Sequence, residues 1–206
     1  MVSGKTRDKI IKVALTLFAN DGYDATSMEK IATGVGIKKS SLYTFIASKE
    51  ALFWEIYEDV EKSYHSYMAQ LLADSASMLP QDRLYYLFKN YLLYNQSTST
   101  EDDVAERNFW IRIMFFPPTM IKDRLLNRAL QHEMELGEKY QEIIREGIQQ
   151  GLFREAPPEE ILLSYYSLRQ GLYALMSVYM SNMSQSQKIG QIDTVWDNFW
   201  NGIRFR

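Results

Sequence analysis

An all-α fold, with a small N-terminal three-helix helix-turn-helix unit ahead of a larger helical domain, is predicted by three observations. Apolar residues recur three and four apart and do not alternate; the five prolines and ten glycines fall mostly at segment edges; no internal repeat or long heptad run is present. With 206 residues, 46% of them hydrophobic, the chain has ample material for a buried core. There is no cysteine, which excludes disulfides, thiolate metal sites and cysteine nucleophiles together.

The first helix is expected from Lys5 to Asp21, with Ile10, Ile11, Ala14, Leu17 and Phe18 on one face and Gly22 as a left-handed cap. A second helix starts where Thr26 can cap and Glu29, three residues on, can reach back in a capping box; it ends near Gly34. A third is expected from Lys39 to about Ile46. From Ser48, another capping residue, a long helix carries Leu52, Phe53, Ile56, Tyr57, Val60, Tyr64, Tyr67, Met68 and Leu71 to about Ala73. Breaks follow at "DSASMLP", "NQSTSTED", "FFPP", "REAPP" and "SNMSQSQ", leaving helices near Gln81–Tyr94, Val104–Met114, Thr119–Gln150, Glu159–Met180 and Gly190–Ile203. The expected domains are residues 1–50 and 51–206.

The stretch "GVGIKKSSLYTFIASKE" (Gly34 to Glu50) closes a helix, turns at Val35 and Gly36 and opens another, the pattern of a helix-turn-helix. Ile31, Ala32, Ile37, Leu42 and Ile46 supply its apolar contacts, and the opposite face carries Lys39, Ser40, Tyr43 and Thr44. In such a motif the second helix enters the DNA major groove, where short hydroxyl side chains meet base edges while lysines and tyrosine hydroxyls fix the protein on phosphates. Ser40, Ser41 and Thr44 are therefore assigned to bases, and Thr26, Lys38, Lys39, Tyr43 and Lys49 to the DNA backbone, with Lys49 opening a helix whose N-terminus favours a phosphate. The competing reading is a tight helical corner with a solvated face.

Net charge is −3, but residues 1–50 hold eight Lys/Arg against five Asp/Glu, or +3, and the remaining 15 against 21 give −6. No signal peptide or membrane-length apolar run is evident, so a soluble cytoplasmic protein is expected. Neither His65 nor His132 has metal-ligand spacing or a neighbouring serine nucleophile. No enzyme activity, catalytic residue, metal or cofactor is expected.

Thr26 to Leu52, "TSMEKIATGVGIKKSSLYTFIASKEAL", resembles the N-terminal DNA-binding domain of the tetracycline-repressor (TetR) family of bacterial transcription regulators, as does the preceding "ALTLFANDGYDATS". Weaker likenesses lie in "IIREGIQQGLFR" and "WDNFWNGI". The chain departs from that pattern at Lys38, where serine or threonine usually caps the recognition helix, and at Ser40, Gly34 and Thr44–Ile46. The resemblance implies a sequence-specific transcriptional regulator, a ligand-responsive repressor acting as a homodimer on a palindromic double-stranded DNA operator. It also implies an effector cavity in the second domain. Tyr64, Tyr67, Met68, Tyr91, Trp110, Met114, Tyr140, Tyr166, Tyr173 and Met176 are its candidate lining, with Arg169 or Glu106 as a charged handle, for a small apolar or aromatic effector. Ile161–Met180, apolar over more than one face and broken by Gly171, and the closing "VWDNFWNGIRF" suggest a dimer through the last two helices. A helical protein-interaction module without specific DNA binding is the alternative.

Overall fold

The structure, a computed structural model, describes residues 2–94, 100–180 and 182–205. These residues form helices α1 (Val2–Asn20), α2 (Met28–Val35), α3 (Lys39–Leu42), α4 (Lys49–Asp74), α5 (Pro80–Tyr94), α6 (Glu101–Phe115), α7 (Lys122–Gln149), α8 (Pro158–Val178) and α9 (Gln185–Ile203), with a 3-10 turn at Thr119–Ile121 and no strand. Residues 95–99 of the break expected at "NQSTSTED", and residue 181 of "SNMSQSQ", lie outside the described residues.

Four helix ends differ from expectation for a local reason. Helix α2 is capped by Ser27, whose hydroxyl accepts from the Lys30 N–H, so the expected Thr26–Glu29 capping box does not form. Helix α6 starts three residues early because Thr100 and Asp103 make a reciprocal capping box, and α9 starts at Gln185 because Ser184 and Gln187 make another. Helix α3 stops at Leu42 and not near Ile46. There the Thr44 and Phe45 N–H groups bond carbonyls three residues back, at 3.2 and 3.0 Å, and the Thr44 hydroxyl donates to the Ser41 carbonyl at 2.7 Å. Such back-bonding competes with the helical ladder.

The chain packs as two compact units. One comprises residues 1–66 and 97–127, the other residues 67–96 and 128–206. Helix α4 is shared between the two units, and α6 belongs to the same unit as the first three helices.

The first unit closes on Ile10, Ile31, Leu42 and Leu52, all at 0% exposure, and on Phe18, Tyr23, Phe53, Tyr57 and Phe109. The Phe53 ring centres an aromatic cluster, edge-on to Phe18 at 5.7 Å and to Tyr23 at 5.2 Å. Helices α1 and α2 cross closely at Gly34, where an added Cβ would lie 2.7 Å from Val13 Cγ1. That explains a glycine in the last turn of α2. Helix α6 is fastened to the end of α1 by Arg112, whose Nε and Nη2 donate to the Ala19 and Asn20 carbonyls at 3.0 and 2.6 Å.

The second unit buries Leu84, Leu87, Phe88 and Leu92 of α5, Tyr140, Ile143 and Ile144 of α7, Ile161, Tyr165, Leu172, Tyr173 and Met176 of α8, and Ile192 and Trp196 of α9. Between α7 and α8 the chain turns at Gly151, φ +68°, and doubles back so that the Arg154 N–H reaches the Ile203 carbonyl at 2.7 Å and the Phe205 N–H reaches Leu152 at 3.0 Å. The last residues are thereby clasped to the α7–α8 turn.

Candidate nucleic-acid interface

Helix α2 ends at Gly36, whose φ of +82° lets its N–H bond back to the Ala32 and Thr33 carbonyls while Ile37 returns to Ala32 at 3.0 Å. A side chain at that φ would be strained, so glycine sets the corner. Buried Ile31, Ala32, Val35, Leu42 and Ile46 hold the corner from inside. Outside, Lys38, Lys39, Ser40, Ser41, Tyr43 and Thr44 are exposed, with Tyr43 at 49%. The structure thus leaves six of the eight predicted DNA-binding residues exposed around α3 and its exit.

The other two, Thr26 and Lys49, are engaged inside the unit. Thr26 is 1% exposed, and its hydroxyl donates to the Gly22 carbonyl at 2.7 Å and lies 3.3 Å from that of Leu17. Lys49 puts its ammonium 2.9 Å from the Tyr23 carbonyl, 3.0 Å from that of Thr26 and 4.2 Å from the centre of the Tyr23 ring. Burial raises the pKa of the Tyr23 hydroxyl, with Glu50 and Asp24 adding to the shift. The fold uses both groups to tie α1, the α1–α2 loop and α4 together.

The same holds for much of the basic surplus. Lys9 donates to the Val35 carbonyl at 2.9 Å, Lys30 to Asp21 and the Ala25 carbonyl at 3.1 Å each, and Arg7 pairs with Glu55 at 2.6 Å. Lys38 makes no side-chain capping bond, and among the described residues Lys39 has a loose exposed pair with Glu29 at 3.7 Å. Positive charge for a phosphate is thus concentrated at the start of α3. Sequence reading missed Ser27 and Arg112; the serine ahead of "MEK" was a visible cap, whereas Arg112 acquires meaning only when α6 meets α1.

Lys38 occupies the N-cap position in an extended conformation, φ −71° and ψ 145°, that a threonine could adopt with its hydroxyl on the α3 N–H groups. Lys38→Thr is expected to stabilise the protein by about 0.5–1 kcal/mol while reducing the magnitude of the DNA salt slope by about 1 per copy. Denaturant melts and salt titrations of the same preparation read the opposing effects.

The candidate effector residues divide between the units. In the first, Trp110 lies 5.7 Å from buried Tyr64 and 6.2 Å from Tyr57, and Met114 and Glu106 lie on the same α6. In the second, Tyr67 stacks on Tyr94 at 4.3 Å and donates to the Asn90 carbonyl at 3.1 Å; burial, with Tyr86 and Tyr94 nearby, pushes its pKa to about 12. Met68, Tyr91, Tyr140, Tyr173 and Met176 are buried, Tyr166 is partly buried, and Arg169 stands among the tyrosines. Packing accounts for the buried apolar members as core.

The profile of bacterial regulatory proteins of the tetR family matches residues 10–56, which contain the whole corner and its apolar support. The N-terminal segment thus matches the DNA-binding region of that family. The chain is 28% identical over 196 residues to the biofilm operon icaADBC HTH-type negative transcriptional regulator IcaR of Staphylococcus epidermidis, covering 94% of this chain and 92% of that one. It is 42% identical to IcaR of Staphylococcus aureus strain Newman over 66 residues, 32% of this chain and 33% of the relative. Its fold matches the ketosteroid transcriptional regulator KstR2 of Mycobacterium tuberculosis, with TM-score 0.68, 20% identity and coverage of 97% and 95% of the two chains. The protein is a helix-turn-helix DNA-binding transcriptional regulator.

Proposed function

We propose that the protein is a ligand-responsive repressor that binds a palindromic operator as a homodimer, in the cytoplasm and without catalysis. The observation that carries the DNA part is the exposed face of Lys38, Lys39, Ser40, Ser41, Tyr43 and Thr44 on a corner whose other polar groups are internally engaged. Ser40, Ser41 and Thr44 are the proposed base readers; Lys38, Lys39 and Tyr43 are the phosphate contacts. Repression is supported by the negative regulator to which nearly the whole chain is similar. No helix among the described residues is long and apolar enough to cross a membrane.

Dimerisation is proposed through α8 and α9. Leu163, Leu175 and Val178 of α8 are 68%, 46% and 66% exposed, and an added Cβ at exposed Gly171 would meet nothing within 4 Å. A helix buried on one face and apolar on the other calls for a second covering, which another copy supplies. Two α3 helices then read half-sites about 34 Å apart. If an effector favours a dimer with another head spacing, DNA and effector weaken each other's binding by the same factor.

Selection of bound duplexes from a random pool, followed by salt titration of the enriched site, tests this reading. A palindromic site whose affinity falls steeply with salt is the expected result. No enriched site and no salt-dependent binding would instead make the corner a protein-interaction surface.

A further inference from the structure

An open groove of about 320 Å³ lies in the second unit where α5 meets α9, lined by Gln81, Asp82 and Tyr85 of α5 and by Asp193, Trp196, Asp197 and Trp200 of α9. On α9 the four residues follow at i, i+3, i+4 and i+7, so two carboxylates and two indoles share one face. The rings are held in place by their own neighbours. Trp196 is 7% exposed and packs 5.5 Å from both Tyr85 and Phe88, and Trp200 stands edge-on to buried Phe153 at 5.7 Å. A space of this size with fixed aromatic walls and a few polar groups has the form of a small-molecule site.

The charged groups on those walls are acceptors. Asp193 is already engaged: its Oδ1 accepts from the Tyr85 hydroxyl at 2.5 Å, and the Lys89 ammonium lies 3.6 Å from it and 3.0 Å from the Tyr85 oxygen. Asp82 and Asp197 add two exposed carboxylates at the rim. The Gln81 Oε1 atom is buried and has no hydrogen-bond donor among the described residues. A buried amide oxygen without a donor is costly, and the neighbouring carboxylates have none to give. An N–H group on a cation meets both needs: its charge answers the acids, its hydrogen answers the amide, and the ring faces attract it.

We propose that this groove binds a small organic ammonium ion, with its N–H groups directed to Gln81 Oε1 and to the carboxylates of Asp82 and Asp197, and its hydrocarbon body against Trp196 and Trp200. The site uses none of the α8 residues assigned above to the dimer, and it does not rest on the repressor reading. A quaternary ammonium would bring charge without a hydrogen for Gln81, and an anion would meet like charge at the rim.

Calorimetric titration of the full chain with phenethylammonium, phenethyl alcohol and phenethyltrimethylammonium, at matched ionic strength, tests the assignment. The primary ammonium is expected to bind at least about tenfold more tightly than the alcohol, the discrimination of one charge-assisted contact, and several-fold more tightly than the quaternary ion. Asp82→Asn/Asp197→Asn should weaken binding of the primary ammonium at least about tenfold and leave the alcohol unaffected. Gln81→Met should abolish the preference for primary over quaternary ammonium. Equal binding of ammonium and alcohol, no binding of the ammonium, or an affinity unchanged in the double variant overturns the proposal; the comparison of the three probes on wild type stands even where a variant does not fold. Quaternary binding as tight as primary overturns the role of Gln81 and with it the N–H requirement. Self-association of wild type that is lost in the double variant, with no ammonium binding, gives the groove to a basic side chain of a second copy and overturns the proposal as well.

Discussion

Lys39→Ala combined with Tyr43→Ala is expected to lower affinity for the selected operator at least about 100-fold, since a charge-assisted contact is worth about 1.5 kcal/mol and a dimer loses each contact twice. The magnitude of the salt slope should fall by about 2, because two ammonium groups no longer release counterions from phosphates. Both side chains are exposed, and Lys39 pairs loosely with Glu29, so stability should stay within about 0.5 kcal/mol of wild type. Glu29→Gln makes the opposing control. It frees Lys39 and removes a carboxylate beside the phosphate path, so affinity should rise. The loss should be uniform across operator variants, whereas Thr44→Ala should relax preference at one base position per half-site. A double variant that binds like wild type, with an unchanged salt slope, would remove α3 from the DNA interface.

These expectations divide the basic residues more finely than the sequence permitted. Lys38, Lys39 and Lys49 are close in sequence and equally charged, and nothing in their spacing says that Lys49 will turn inward. That depends on the Tyr23 and Thr26 carbonyls, delivered by a loop more than twenty residues earlier. Thr26 and Ser27 posed the same problem at shorter range. Either hydroxyl could cap α2, and the choice follows from Thr26 packing against the end of α1. Periodicity, by contrast, was enough for the long helices, because a buried stripe over fifteen or more residues leaves one consistent register: α1, α4, α5 and α8 lie within a few residues of expectation. The short α3 had no such redundancy, and one hydroxyl back-bond from Thr44 altered its end. Arg169 was visible as a charge within an aromatic run. That Tyr91 and Tyr140 would join Tyr166 around it is a product of helix packing, which no local pattern encodes.

Gly147→Ala is expected to cost about 3 kcal/mol, the upper end for overpacking a closed core, which for a chain of this size lowers the melting temperature by roughly 10 °C. The added Cβ would lie 2.3, 2.5 and 2.8 Å from three ring atoms of Phe153, a side chain at 1% exposure, so the ring must leave its place. Little nearby can yield. The Leu152 and Phe153 N–H groups both bond the Gly147 carbonyl, at 2.9 and 3.1 Å, and the ring packs edge-on against Trp200 of α9 at 5.7 Å. Displacing Phe153 therefore also strains the two backbone bonds that clasp residues 203–205 to the α7–α8 turn. Phe153→Leu alone should destabilise by opening a cavity, yet in the Gly147→Ala background it should restore part of the loss, since a smaller side chain leaves room for the methyl. The denaturant midpoints of the four proteins form a double-mutant cycle with a favourable coupling. Strict additivity would mean that the methyl is absorbed by a shift of α7 and not by Phe153, and a wild-type midpoint for Gly147→Ala would show that glycine is not required by the close approach.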